Sequence, residues 1–577
     1  MRIIQFDQPR RAYGAAKRLG LLVVAFMGAG VVSSQTVESP PPDLLTFDRD
    51  LDVYYSLLKA PGMAVGVARG DSLIYFRGLG YADVEERTPI TPNTIFWIAS
   101  VTKTFTAVAL KQMEEQSQVS LEDELVTFPN KYFDARRIEP GVTIGHVISH
   151  TSEIRPYGSL FVYNGGRYNL VFNAFDAVAP AEPDSDVIRP FTRTIEDRII
   201  APLRLDHTVT RVASGRFEAL RPYVVTPYAH EEGRGFVPSS QPLGFDTSYP
   251  ATGMLSSVHD LIRYSHALTS EELISRDGYA DLTTPFYEDQ DGPSVYGQGW
   301  FTSSFEGVKL HWAFGYGDVD AALLLRVPDR DLTLVMLSNS AMPSATTLLG
   351  YGNPMISPLA ASFVKCFILH DRGPVASIDY TSDLAGVEER LAEATAASGS
   401  RVYAEEAFAY AVLMKLLPTD LFDGQAQAWG LLSVLYRRFP DLLDPQRVEA
   451  FDLLARFDEP AALSVGARLA AAYMASNTYH PIKSFYAGRL YMSLGDTAQA
   501  LHFYSAVADS ASFLEQPVKH HALLALGRHY ARIDPERAER YLEALIQYKE
   551  MIGVRDDEYE EATTLLDSAK TRRRGLR

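Results

Sequence analysis

Ser100 and Lys103 lie three residues apart at the mouth of an apolar run, Phe96-Trp97-Ile98-Ala99-Ser100-Val101-Thr102-Lys103-Thr104-Phe105. On a helix, positions i and i+3 share a face, so the lysine amine reaches the serine hydroxyl and can take its proton. That pairing makes a serine nucleophilic without a histidine. The pattern recurs, however: Ser56 with Lys59 and Ser362 with Lys365 have the same spacing. A serine and a lysine that merely share a helix face must account for at least two of the three.

Context separates them. Ser56 and Lys59 close a helix-like run, Leu44 to Lys59, just before Ala60-Pro61-Gly62, and Ser362-Phe363-Val364-Lys365 has no break in front of it. Ser100 follows the turn Thr91-Pro92-Asn93-Thr94 and opens a helix running through Leu110. Free backbone N–H groups at a helix start favour a developing anion, as the oxyanion of acyl transfer requires.

The elements that must hold this dyad can be read in order. Ser39-Pro40-Pro41-Pro42 marks a linker over 35–43. A helix follows, then two strands, Met63 to Ala68 and Ser72 to Gly78, around the turn Arg69-Gly70-Asp71. Helical text recurs at Arg193 to Pro202 and Ser256 to Leu268, and strands return at Gly299 to Ser303, Ala321 to Val327 and Leu332 to Leu337. Strands at both ends with helices between predict an α+β domain, an antiparallel sheet covered by helices.

By this point the order of motifs resembles the serine β-lactamase and penicillin-binding-protein superfamily, in particular its class C β-lactamase-like hydrolases. The resemblance spans 44–375. It rests on the opening hairpin, the Ser100 stretch, His146 through Ser152, Pro202-Leu203-Arg204-Leu205-Asp206-His207-Thr208, Ala251-Thr252-Gly253-Met254-Leu255-Ser256-Ser257, and the closing hairpin from Val327 to Ser340. It implies a catalytic Ser100 and Lys103. Tyr163, in Tyr163-Asn164-Gly165, stands at the family's Tyr-x-Asn motif as a proton relay, its phenolate favoured by the neighbouring ammonium. Gly315 gives bare backbone at the third motif, and the Tyr316 N–H joins that of Ser100 as the oxyanion hole.

The pattern also departs from the family. Gly165 replaces the usual asparagine, which leaves Asn164 as a substitute amide, and Glu153 replaces a turn glycine. Ala313 stands where a lysine or histidine is usual; His311, two residues earlier on the same strand face, and Arg155 are candidate replacement cations. Without that cation a substrate carboxylate loses a charge-assisted hydrogen bond of about 1.5–3 kcal/mol. The aromatics flanking the motifs (Phe96, Trp97, Phe161, Trp312 and Phe314 among them) read singly as core packing.

From 385 to 570 the text is almost wholly helical and rich in alanine and leucine. Tyr486 to Phe503 resembles a tetratricopeptide repeat, and a weaker copy begins at Gly527-Arg528-His529-Tyr530. Such helix pairs bind peptides or pack against a neighbouring domain; a plain helical cap without a partner reads equally well.

Composition bounds the remainder. The 577 residues exceed one ordinary core. Residues 1–34 read as an export signal, with Arg2, Arg10, Arg11, Lys17 and Arg18 before an apolar run and a small-residue cleavage site at Val32-Ser33-Ser34. The alternative is a retained anchor. Export places the protein in the periplasm or outside the cell; no cysteine follows the run to carry a lipid, and cleavage leaves no membrane span. The net charge of −18 argues against a nucleic-acid partner. Cys366 is the only cysteine, so no internal disulfide or Cys-x-x-Cys pair exists. The reading is an exported serine hydrolase that forms an acyl-enzyme with a small-molecule or peptide ester or amide and requires no metal or cofactor. A β-lactamase or D-Ala-D-Ala carboxypeptidase is the alternative within this class. A binding or scaffold protein with a weak or silent site is the alternative from another class.

Overall fold

The computed structural model describes residues 42–133, 137–179, 189–212, 214–239, 248–289, 292–476, 479–510, 517–551 and 554–575. The expected export signal lies outside these residues, and of the expected linker only its last two positions fall within them. Asp43 caps the first helix, α1 (Leu44–Leu58), its carboxylate accepting from the Thr46 N–H at 3.0 Å.

The hairpin signal at Arg69-Gly70-Asp71 joins β1 (Gly62–Arg69) to β2 (Ser72–Asp83), which pairs with the short β3 (Thr88–Pro89). β4 (Phe96–Trp97) pairs with β7 (Leu255–Ser256). β5 (Tyr228–Glu231) and β6 (Gly235–Pro238) form a separate hairpin, and β8 (Glu288–Asp289) pairs with β9 (Gly292–Pro293). Four further strands, β10 (Phe301–Phe305), β11 (Val308–Tyr316), β12 (Ala321–Val327) and β13 (Leu332–Ser338), complete a seven-stranded antiparallel sheet in the order β10-β11-β12-β13-β1-β2-β3. Chain ends that are remote in sequence therefore meet, with Met63 opposite Ser338.

Period-2 alternation divides the sheet into two faces. Val65, Val67, Leu323, Leu325, Leu334 and Met336 join one core, which α1 covers. Ala64, Ala322, Leu324, Val335 and Leu337 join the other, which holds α2 (Thr102–Glu115) and the helix Val258–Thr269. That second helix lies close to β1 because Gly66 has no side chain: a Cβ there would stand 2.4 Å from Val258 Cγ1.

The first core does not stop at the expected boundary near 375–385. It continues through Ile378, Tyr380 and Phe408 into the helices of the C-terminal third, as far as Leu566 and Ala569. The α+β sheet domain and the all-α region thus share one apolar interior.

Both other Ser-x-x-Lys pairs prove structural. Ser56 donates to the Val53 carbonyl, and Lys59, in left-handed conformation at the end of α1, donates to the Leu421 carbonyl. Lys365 is buried and clamped, 2.7 Å from Asp50 of α1 and 2.8 Å from both oxygens of Glu406 in the helical region. Ser362 donates to the same Asp50, and Tyr380 to Glu406. Burial raises the Glu406 carboxyl to about 7 against the pull of Lys365. Replacing Lys365 with Met would leave two buried carboxylates facing each other, and urea denaturation should register a loss of about 3–5 kcal/mol.

Candidate active site

Ser100 sits in a single 3-10 turn, Ala99–Val101, that leads straight into α2. The turn is held from behind by the β4–β7 pair, by Ile98 N–H donating to the Met254 carbonyl, and by Met254 N–H donating to Thr102 Oγ1. Ala99 has a φ of +40°, a strained value for a residue with a side chain, immediately before Ser100.

Lys103 reaches back one helical turn to Ser100, its Nζ 2.8 Å from Oγ. The amine also donates to the Ala251 carbonyl at 2.9 Å and lies 5.1 Å from the ring centre of Tyr163 and 5.3 Å from that of Tyr168. Lys103 is 1% exposed, and burial lowers its amine to about 7. A substantial fraction is therefore a free base at neutral pH.

Tyr163 stands beside the dyad in an aromatic box. Its ring stacks on Phe301 at 5.8 Å, lies 4.3 Å from His150, and leans on Phe314. Its hydroxyl bonds to Ser100, which pulls its pKa down, but burial outweighs this and raises it to about 12. The phenolate expected from sequence is thus corrected. A largely neutral lysine supplies no strong ammonium field, and the apolar box penalises the anion. Tyr163 is held as a phenol, while the Lys103 amine beside it is partly a free base, so the same burial pushes the two groups apart.

His150 supports the loop from below. It is buried, takes the Asn164 N–H on Nδ1 at 3.1 Å, and stays neutral because burial, and then the Lys103 charge, lower its pKa well below the usual range. Asn164 is turned away from any substrate role. Its side-chain oxygen caps the short helix Gly165–Tyr168 by accepting from the Arg167 N–H at 2.9 Å, and its amide donates to Glu153 at 2.7 Å. Glu153, in the turn-glycine position, is accommodated because the buried Arg167 lies 4.0 Å away while donating to Ser152.

Gly315 lies on β11 directly against the Ser100 turn, where a Cβ would fall 2.3 Å from the Ile98 carbonyl oxygen. Ser344 donates to the Gly315 carbonyl at 2.7 Å, fixing the strand. Tyr316 follows with its side chain 58% exposed. Neither replacement cation reaches this corner. Ala313 is buried and apolar. His311 shares its strand face, as expected, but its Nδ1 is bound to the Tyr279 hydroxyl at 2.9 Å. Burial, with Arg326 and Lys309 nearby, lowers it to about 4, so it carries no charge at neutral pH. Arg155 is exposed and donates to the Tyr157 hydroxyl. At Gly165 a Cβ would lie 3.6 Å from Lys103 Nζ, so no amide projects from that side.

Sequence reasoning passed over the Ala251 carbonyl, His150, and Tyr168, whose hydroxyl donates to the Lys103 carbonyl at 3.0 Å. The first two lie inside stretches already picked out by resemblance. Among the described residues, no cluster of three or more histidine, cysteine, aspartate or glutamate side chains is arranged to hold a metal ion.

An antiparallel sheet edge laid against a Ser-x-x-Lys turn, with a tyrosine beside it, defines the class of serine β-lactamases and penicillin-binding proteins. Residues 52–349, just over half of the chain, match the Beta-lactamase family model, and the chain belongs to that family. It is 36% identical over 128 residues to the serine beta-lactamase-like protein LACTB, mitochondrial, of Bos taurus, covering 20% of this chain and 23% of that protein. The Homo sapiens counterpart is 39% identical over 102 residues, covering 17% and 18%. The chain thus spans less than a quarter of the length of these relatives. A Beta-lactamase of Escherichia coli (strain K12) is 22% identical over 340 residues, covering 50% of this chain and 86% of that one. The octameric penicillin-binding protein homologue from Pyrococcus abyssi has a TM-score of 0.47 at 22% identity, covering 56% and 77%.

Gly315→Ala tests the close approach of β11. Its methyl should force the strand and the Ser100 turn apart, with a stability loss of about 1–3 kcal/mol in denaturant titration and slower acylation of Ser100.

Proposed function

We propose that this protein is a serine hydrolase working through an acyl-enzyme on an ester or amide whose acyl group is small or aromatic. The observation that carries the reading is the 2.8 Å contact of Ser100 with a lysine amine whose pKa burial lowers to about 7. Neutral Lys103 takes the Ser100 proton as Oγ bonds to the carbonyl carbon, and the carbonyl electrons move to oxygen, facing the N–H groups of Ser100 and Tyr316. As the tetrahedral intermediate collapses, the bond to the leaving group breaks and Tyr163 gives that group its proton. The Lys103 ammonium then restores the phenol. Water adds to the acyl carbon by the same route, releasing the acid and free Ser100.

The substrate class follows from what surrounds the dyad. The half-buried side chains of Tyr163 and Phe314 offer ring surface, whereas Ala313, Gly165 and a neutral His311 offer no charge for a carboxylate. A β-lactam or a D-alanyl-D-alanine terminus would therefore lose about ten- to a hundredfold in affinity relative to a site with a cation.

A fluorophosphonate should label the wild-type chain and leave Ser100→Ala unlabelled; equal labelling of both would sink the mechanism. Lys103→Met should lose labelling while melting no lower than wild type, because it removes a buried amine. The rate of p-nitrophenyl ester hydrolysis should rise with pH through about 7, as Lys103 loses its proton. Tyr163, held near 12, should add no falling limb below pH 10. Covalent labelling by a fluorescent penicillin as fast as by the ester would favour the β-lactamase or carboxypeptidase reading instead. Absence of any turnover or labelling in wild type would favour a binding protein.

A further inference from the structure

A cavity of about 940 Å³ opens at the edge of the sheet, between β10–β11 and the helix Arg276–Thr283. It is separate from Ser100. That helix packs on the far end of α2, where Lys111 pairs with Asp281 and Glu115 accepts from Ser275. At 1.5 Å per residue those positions stand roughly 12–18 Å along α2 from Lys103.

Further along, this sheet face is apolar at Ala313, Ala322 and Leu324; here it turns polar. In the antiparallel register His311 stands opposite both Thr302 and Arg326, and Lys309 opposite Ser304, so these five side chains share one face. Four of them line the cavity, and Arg326 lies beneath its floor, 2% exposed. The Arg326 guanidinium lies 5.1 Å over the Tyr279 ring, hydrogen-bonds to the Tyr279 side chain and donates to Thr269 Oγ1 at 3.1 Å, while its Nε and Nη1 have no hydrogen-bond partner among the described residues. Among the described residues it forms no ion pair with a carboxylate. Buried charges are ordinarily paired, so this one asks for an anion.

The surroundings agree. When the Tyr279 hydroxyl donates to Nδ1 of His311, the imidazole proton is kept on Nε2, and His311 presents an N–H donor. Asp329 is the one carboxylate among the described lining residues, against Lys309 and Arg276, the latter already 3.3 Å from Glu271. Burial first, and then the Arg326 and Lys309 charges, lower His311 to about 4, so its ring borders the cavity as a neutral donor. Leu268, Pro285, Val295 and Pro328 supply apolar wall.

We propose that this cavity is a second ligand site, taking a small molecule with an apolar body and an anionic head, carboxylate or phosphate. The head meets Thr302, Lys309 and His311, and the buried Arg326 guanidinium balances its charge. Calorimetric titration of the whole chain with hexanoate, hexyl phosphate and neutral hexanamide tests this, and the better of the two anions identifies the head group. At least one anion should bind about tenfold or more tighter than hexanamide. Lys309→Glu, a change at an exposed position, and Thr302→Val should each weaken that binding, and Arg326→Met should abolish it. Ser100→Ala should leave it unchanged. Failure of both anions to bind, equal binding of hexanamide, indifference to Lys309→Glu, or loss of binding after fluorophosphonate treatment would each overturn the proposal.

Discussion

The site depends on one constraint: among the described residues, the buried Lys103 amine has two oxygen partners and no carboxylate. Had an acidic side chain stood beside Lys103, the ammonium would be stabilised and the proton of Ser100 would have nowhere to go. Neutral acceptors, the Ser100 hydroxyl and the Ala251 carbonyl, hold the amine in place without holding its charge. The same dryness acts with opposite sign on Tyr163, and one environment thereby lowers the pKa of an amine and raises that of the phenol beside it. The box of His150, Phe301 and Phe314 around Tyr163 contributes to that dryness, so its packing bears on both pKa values.

The second requirement is an approach of backbones. A strand edge must pass the nucleophile closely enough to exclude a methyl group, and the turn must accept a strained residue just before the serine. The β4–β7 pair and the Gly315 contact meet this from opposite sides. Lys365, by contrast, shows what the same serine–lysine spacing becomes when carboxylates surround it: a tether between distant parts of the chain.

The local parts of this were legible in the sequence. Ser-x-x-Lys at a helix start, the hairpin at Gly70, the period-2 strands and the small residue at 315 all follow from near-neighbour rules. Tyr163 was legible only because the motif order resembled a family. Roles assigned by long-range neighbours were not. Asn164 reads as a spare substrate amide until Arg167 and Glu153 are placed around it. His311 was placed on the correct strand face, yet its charge depends on Arg326, Lys309 and burial under a helix that begins 35 residues earlier. The phenolate of Tyr163 was misjudged for a related reason, since a sequence carries charges openly but conceals how much water they will lose. A boundary between 375 and 385 followed from where the resemblance stops and the helical text begins, which says nothing of the core that continues through Ile378 and Tyr380.

That closed core separates two units usually taken to coincide. The stretch inherited with the Beta-lactamase family ends at 349, but the stretch that must collapse together continues far past it, since Leu323, Leu325 and Met336 share their interior with Phe408 and Leu566. The C-terminal helices then form a layer behind α1 and the helix Pro358–Phe363, and a loosening there would reach the sheet through that intervening packing, with no contact to substrate needed.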